Sequence, residues 1–232
     1  MTEKERRTKI VCTIGPASKH LIRELEKAGM DIARINTAYT NETKIDFEHI
    51  MVDVRHWKKI PELELPEKGM IAVSFVKSHE CVRNARDHAS WLPICAKIET
   101  KEAVKNLDRI VKESDYVMVA RGDLGKEFGI HLVPVVQEKI IETCKKYEKP
   151  FIVATEVLRS MINFYEPSRA ESIDVFNTVK SGAYAIMLAD ETAVGKYPVE
   201  SARWLDKLIR AVESFLENGG HECLLTTTPL SF

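Results

Sequence analysis

Short apolar runs bounded by turn signals recur along the chain, and polar stretches with apolar residues at helical spacing lie between most of them. That alternation predicts parallel β/α units. The predicted strands are Lys9–Ile14, Ile32–Ile35, Ile50–Val54, Met70–Phe75, Ile94–Ile98, Tyr116–Ala120, Phe151–Ala154 and Ala185–Leu188. Eight is the number that closes a (β/α)8 TIM barrel, so the expected class is α/β. Helices are predicted over Lys19–Ala28, Glu42–His49, Glu80–Ala89, Lys101–Lys112, Pro134–Tyr147, Ser168–Lys180 and Pro198–Glu217. In Pro134–Tyr147, Val135, Ile140, Ile141 and Cys144 share one side while Glu138, Glu142, Lys145 and Lys146 face water. Gly29 and Gly182 stand where a helix would release the chain into the next strand.

The pattern thins between the third and fourth strands. RHWKKIPELELPEKG, Arg55–Gly69, carries two prolines and leaves room for a short helix at most. After Glu217 the stretch NGGHECLLTTTPLSF has a double glycine and no periodicity. The expected organisation is therefore a barrel over residues 1–217 and a mobile or partner-dependent tail over 218–232. There is no internal repeat.

With 232 residues, 44% of them hydrophobic and 30% charged, the chain can bury a full core and is neither disordered nor membrane-like in composition. A charged start, MTEKERRTKI, lacks the apolar region of a secretory signal, so a cytoplasmic location is expected. The five cysteines are an odd number at wide spacings, matching neither a disulfide framework nor a zinc pair, and read as reduced thiols. A net charge of −1 offers no general attraction to a phosphate backbone, so nucleic acid is not an expected partner.

Chemistry concentrates at two strand ends. Lys97-Ile98-Glu99 closes the fifth, and alternation points Lys97 and Glu99 to the same side at the C-terminal mouth, where barrel enzymes keep their sites. Ala120-Arg121-Gly122-Asp123-Leu124-Gly125 follows the sixth, placing a second carboxylate in the next loop over. Glu99 and Asp123 together suit a hard cation such as Mg2+. Gly122 and Gly125 let backbone approach a ligand, and N–H groups of such a loop hold carboxylate or phosphate. Spacing alone leaves open a structural Lys97–Glu99 ion pair and a plain Arg-Gly-Asp turn.

These pieces stand in an order that resembles the pyruvate kinase family. TKIVCTIGPAS (Thr8–Ser18), GMDIARIN (Gly29–Asn36), IAVSFV (Ile71–Val76), AKIE (ending at Glu99), VARGDLG (Val119–Gly125), ATEVLRSM (Ala154–Met161), Arg169-Ala170-Glu171 and MLADETAVGKYP (Met187–Pro198) occur in register. The resemblance covers most of residues 7–205. It implies that Glu99 and Asp123 bind Mg2+ or Mn2+ and that Lys97 neutralises a phosphoryl group in transit. It further implies that Arg34 reaches the phosphate of phosphoenolpyruvate, that the Arg121–Asp123 backbone, through Gly122, holds the substrate carboxylate, and that Thr155 sits near the carbon that gains or loses a proton. Read locally, Arg34 also suits a rim ion pair and Thr155 a strand-end hydrogen bond to backbone. Met118, Met161 and Met187 read as core filler.

Several family features are absent from the pattern. The lid domain that pyruvate kinases insert after the third strand is replaced by Arg55–Gly69, and the Asp-Thr-Lys-Gly-Pro-Glu-Ile-Arg motif before it leaves only Asp53 as a remnant. Ala38 stands where the family has a hydroxyl ligand of its K+ site, which weakens the case for K+. Glu156-Val157 and Ala189-Asp190 replace Gln-Met and Ser-Gly, and the C-terminal domain has no counterpart in these residues. The expectation is a pyruvate-kinase-like enzyme for phosphoenolpyruvate, pyruvate or a related 2-oxo acid, acting through a metal-bound enolate, with ATP formation weakened by loss of one nucleotide wall. A homo-oligomer or separate partner chain would supply what is missing. A metal-dependent lyase or aldolase and a non-catalytic sensor or partner subunit are the competing readings.

Overall fold

A computed structural model describes residues 6–40 and 42–218. Eight parallel strands, β1 (Lys9–Thr13), β2 (Ile32–Asn36), β3 (Ile50–Val54), β4 (Gly69–Val73), β5 (Ile94–Ile98), β6 (Tyr116–Ala120), β7 (Phe151–Ala154) and β8 (Ala185–Leu188), close in sequence order into a barrel. The seam is the β1–β8 ladder, pairing Lys9 with Ala185 through Cys12 with Leu188.

Around it lie α1 (Ile22–Lys27), α2 (His79–His88), α3 (Lys101–Lys105), α4 (Leu107–Glu113), α5 (Arg121–Phe128), α6 (Val133–Lys146), α7 (Arg169–Lys180), α8 (Asp190–Ala193) and α9 (Pro198–Glu217). Gly29 and Gly182 take φ of 110° and 87°, the left-handed release expected after α1 and α7. Ser168 and Glu171 form a reciprocal capping box on α7.

Strand parity explains both cores. One set of residues, including Ile71, Ile94, Ile98, Val117, Val119 and Val153, faces outward and packs against the helices. The other set fills the barrel: Val11, Ile32, Met51, Met70, Cys95, Met118, Ile152 and Met187 form its apolar interior. Met118 and Met187 are thus filler, as is Met161 in the outer cluster. Climbing toward the C-terminal mouth, the same inward parity changes from apolar to polar, reaching Thr13, Arg34, Asp53, Ser74 and Lys97, all buried.

Four sequence expectations need correction. Residues 42–49 are not helical. Thr43 donates its hydroxyl to the Glu64 carbonyl in the next connection, and Ile45 and Phe47, two residues apart, pack on the barrel as an irregular, extended segment would. Lys101–Lys112 is two helices, because Asn106 leaves the α-region and donates its side-chain N–H to the Lys77 carbonyl. Val135 is 65% exposed; its neighbour Val136 takes the buried position in α6. Arg121–Gly125 is the first turns of α5 rather than a loop. The thin connection after β3 does carry only a 3-10 turn, Trp57–Glu62, which ends as Pro61 breaks the helical pattern. The tail from residue 219 and Cys223 lie outside the described residues; Cys12, Cys81, Cys95 and Cys144 are free thiols.

Candidate active site at the C-terminal mouth

A lone aspartate in the otherwise apolar strand Ile50–Val54 must find partners, since an unpaired buried charge costs several kcal/mol or more. Asp53, 3% exposed in its side chain, finds two cations. Arg34 donates Nε and Nη2 to its Oδ2 at 2.9 and 2.7 Å. Lys97 Nζ lies 3.2 and 3.0 Å from Oδ1 and Oδ2, and Ser74 Oγ donates to Oδ1 at 3.1 Å. Arg34 Nη1 continues to Thr13 Oγ1 at 2.9 Å, and Lys97 also donates to Ser74 Oγ at 2.8 Å. Four neighbouring strands, β1 to β4, and β5 thereby meet around one carboxylate.

Glu99, just past β5, adjoins this network without being satisfied by it. Its Oε2 accepts the Phe75 N–H at 2.6 Å. Its Oε1 is 3.1 Å from Lys97 Nζ, yet the approach is off the hydrogen-bonding direction and the buried oxygen has no donor. Burial raises the Glu99 carboxyl above its usual range despite Lys97 and the Phe75 N–H, and the Asp123 charge pushes it the same way. Lys97, in contrast, is held above the ordinary lysine value: burial would lower it, but Asp53 and Glu99 outweigh that. For Asp53 the burial penalty is outweighed by Arg34 and Lys97, and its carboxyl is lowered.

Asp123 falls in the first turn of α5, its side chain 39% exposed and paired with Lys126 Nζ at 2.9 Å. No side chain caps that helix, so the N–H groups at Arg121, Gly122 and Asp123 point into the mouth without intrahelical partners. A helix N-terminus of this kind favours an anion.

The chain after β7 is strained. Thr155 and Glu156 take φ of 77° and 55°, and a β-branched residue there is an outlier with a cost of about 1–3 kcal/mol. The neighbours over-determine the bend. Arg121 Nε donates to the Thr155 carbonyl at 2.9 Å and Nη1 pairs with Asp174 at 2.6 Å. A Cβ on Gly122 would sit 2.9 Å from Thr155 Cγ2, so glycine is what lets the threonine seat there. At Gly125 an added Cβ would meet only Val133 Cγ2 at 3.6 Å, an ordinary contact, so the close-approach argument holds for Gly122 alone. Buried Glu191 accepts from Leu158 and Ala189 N–H at 3.1 and 2.8 Å, tying the loops after β7 and β8 together.

The barrel-domain model of pyruvate kinase matches residues 62–202. The chain belongs to the pyruvate kinase family. It is 40% identical to the pyruvate kinase of Thermotoga maritima over 195 residues, 82% of this chain and 40% of that protein. It is 47% identical to the pyruvate kinase of Mycobacterium tuberculosis over 148 residues, 62% of this chain and 31% of that protein. It is 44% identical to that of Pyrobaculum aerophilum over 147 residues, 62% and 32% respectively. The chain spans at most about two-fifths of the length of these relatives.

Within this pyruvate kinase barrel, Arg34, Lys97 and Glu99 are in one connected cluster, while Asp123, Gly122 and Thr155 line the adjacent edge through α5 and the β7 turn. Arg121 is the exception, since its side chain serves the Thr155 carbonyl and Asp174 and only its backbone faces the mouth. Sequence reasoning underrated Asp53 and missed Ser74 and Thr13. A single acid in a strand buried on both faces, at the same parity as Met51 inside the barrel, was the available signal for Asp53.

The orphaned Glu99 Oε1 is the observation against which a divalent cation can be tested, and it fits. Among the described residues no third carboxylate, His or Cys joins Glu99 and Asp123. Such a two-carboxylate set suits Mg2+ or Mn2+, which keep several positions for water and substrate oxygens. Among the described residues no helix is long and apolar enough to cross a membrane.

Proposed function

We propose that this barrel binds a divalent cation together with phosphoenolpyruvate, pyruvate or a related 2-oxo acid, and interconverts the keto and enol forms of the bound acid. The carrying observation is the buried Glu99 carboxylate, whose Oε1 has no hydrogen-bond donor, beside the buried Lys97. Mg2+ or Mn2+ held by Glu99 and Asp123 would supply Lewis-acid stabilisation of the developing oxyanion. The uncapped N–H groups of α5 hold the substrate carboxylate. Arg34 and Lys97 face the phosphoryl group, or the charge that replaces it. Lys97 Nζ, bonded to Asp53 and Ser74 and 3.1 Å from Glu99 Oε1, would exchange one of these contacts for substrate. Thr155, fixed by its strained backbone and by Gly122, stands where the methyl or methylene carbon exchanges its proton.

Phosphotransfer to ADP is expected to be weak. Residues 55–68 pass from β3 to β4 through the Trp57–Glu62 turn, with no inserted domain to form the far wall of a nucleotide site. Orienting a second reactant contributes roughly 7–11 kcal/mol to catalysis, and much of that is lost with the wall. A second copy or a separate chain could restore it.

The test is deuterium incorporation at C3 of pyruvate in D2O, followed by NMR with and without Mg2+ or Mn2+, beside a coupled assay of ADP-dependent pyruvate formation. Metal-dependent exchange with little ATP formation is expected. Robust ADP-dependent turnover by this chain alone would restore ordinary pyruvate kinase activity, and neither exchange nor turnover would favour a sensor or partner subunit.

A further inference from the structure

In this family K+ is implied, and the residues present here do not fit it. Ala38 replaces the hydroxyl. The Asn36 side-chain oxygen accepts the Ala38 N–H at 3.1 Å, and Thr37 donates its hydroxyl to the Asp53 carbonyl at 2.8 Å. A carboxylate offers about four lone-pair directions. Asp53 already receives two Arg34 N–H groups, Lys97 astride both oxygens, and Ser74. The Asp53 carboxylate, the one anionic group among these, is thus saturated by donors of the chain itself.

We propose that Asp53 is the positioning residue of the site: its carboxylate, clamped between Arg34 and Lys97, orients both cations and makes a monovalent cation unnecessary. Two buried cations placed a few ångströms apart repel one another, and a shared acid between them removes that repulsion while fixing where each points. Arg34 is further braced by Thr13, whose own hydroxyl is held by the Leu188 carbonyl at 2.9 Å, so the orientation is anchored on both sides of the barrel seam. The role rests on the proposed function for its substrate, though not for the placement of the two cations.

The experiment measures phosphoenolpyruvate binding by titration calorimetry with Mg2+ present, in buffers whose only monovalent cation is K+ or tetramethylammonium. In parallel, 15N-edited NMR follows the Arg34 Nε–H and Lys97 Nζ–H signals, assigned by Arg34→Lys and Lys97→Met. For the wild type, equal dissociation constants within about twofold in the two buffers are expected, with protected side-chain signals in both. Asp53→Asn is expected to weaken phosphoenolpyruvate binding by about 100-fold, to lose the protected signals, and to gain nothing from K+. Circular dichroism checks that this variant is folded; if it is not, the wild-type comparison stands by itself. Tighter binding in K+ by tenfold or more, signals that sharpen only when K+ is added, or a folded Asp53→Asn variant with unchanged binding would overturn the proposal. If the wild type binds no phosphoenolpyruvate, the proposed function fails while the NMR arm still decides the placement: protected signals independent of K+ retain it, and unprotected signals refute it.

Discussion

The two halves of the barrel wall are built differently. From β5 to β8 every crossover carries α-helix, and this half supplies Glu99, Asp123 and the strained Thr155. From β2 to β4 the crossovers carry none, only an irregular segment and a 3-10 turn, yet this half supplies Arg34, Asp53 and Ser74. In the helical half, side chains are aimed by backbone devices: a helix start, a left-handed bend, a glycine. In the thin half they are aimed by each other, through a charge network inside the barrel. Mutations should therefore act locally and geometrically on one side, and collectively on the other.

The largest effect is expected where the halves meet. Lys97→Met removes one cation from Asp53 and from the substrate at once, and should lower the rate of metal-dependent exchange about 10²–10³-fold, the usual loss for one preorganised electrostatic contact. A loss of less than tenfold would mean that the thin half does not face the chemistry.

Metal binding sharpens the contrast. Saturating Mg2+ or Mn2+ at about 100 times the dissociation constant should stabilise the protein by about 2.7 kcal/mol. For a domain of this size that corresponds to a melting shift of roughly 5–10 °C. Glu99→Ala and Asp123→Ala should each lose the shift, whereas Ser74→Ala should keep it. An undiminished shift in both carboxylate variants would move the cation elsewhere.

The two glycines of α5 form a smaller, paired test. Gly122→Ala should cost about 1–3 kcal/mol, because its Cβ would press on Thr155 Cγ2, and should slow exchange as the threonine is displaced. Gly125→Ala, in open helical surroundings, should be neutral or stabilise by up to about 1 kcal/mol. Denaturant melts and exchange rates read both, and equal effects would break the argument that α5 and β7 are fitted to one another.

The smallest effect concerns Glu171. Burial would raise its carboxyl, but hydrogen bonds from the Ser160 hydroxyl and N–H and from Ser168 outweigh this and lower it. A folded value below the unfolded one gives stability that is present above the ordinary glutamate range and is lost as pH falls through the folded value. Glu171→Gln should accordingly flatten the wild-type decline in melting temperature below about pH 4.5. An unchanged slope would show that the capping box contributes nothing on the acid side.

The same division governs what could be read from sequence. Strands announce themselves because a barrel strand is apolar on both faces, and α7 and α9 because a capping serine in one, an initial proline in the other, and spacing and length in both agree. The 42–49 segment misled because Ile45 and Phe47 sit among helix-compatible charged residues, while the feature that holds them, the Thr43 bond to Glu64, depends on a connection folded elsewhere. Lys97, Glu99 and Asp123 were legible because they follow strand ends in recognisable runs. Asp53, Ser74 and Thr13 were not, because their meaning lies in contacts among strands far apart in the chain. The left-handed bend at Thr155 has no local signal at all, since what accommodates it, Gly122 and the Arg121 bond to its carbonyl, lies in another β/α unit.

The seam between β1 and β8 has a consequence for how the molecule comes into being. Thr13 and Leu188, joined there by a hydrogen bond, are 175 residues apart, and contacts of such long sequence separation form slowly because loop closure must precede them. During synthesis β1 emerges first and its outer edge waits, unpaired, until Ala185–Leu188 has left the ribosome. In refolding followed by pulsed hydrogen exchange, the amides of this ladder should gain protection last. The residue that braces Arg34 is thus among the last to find its place.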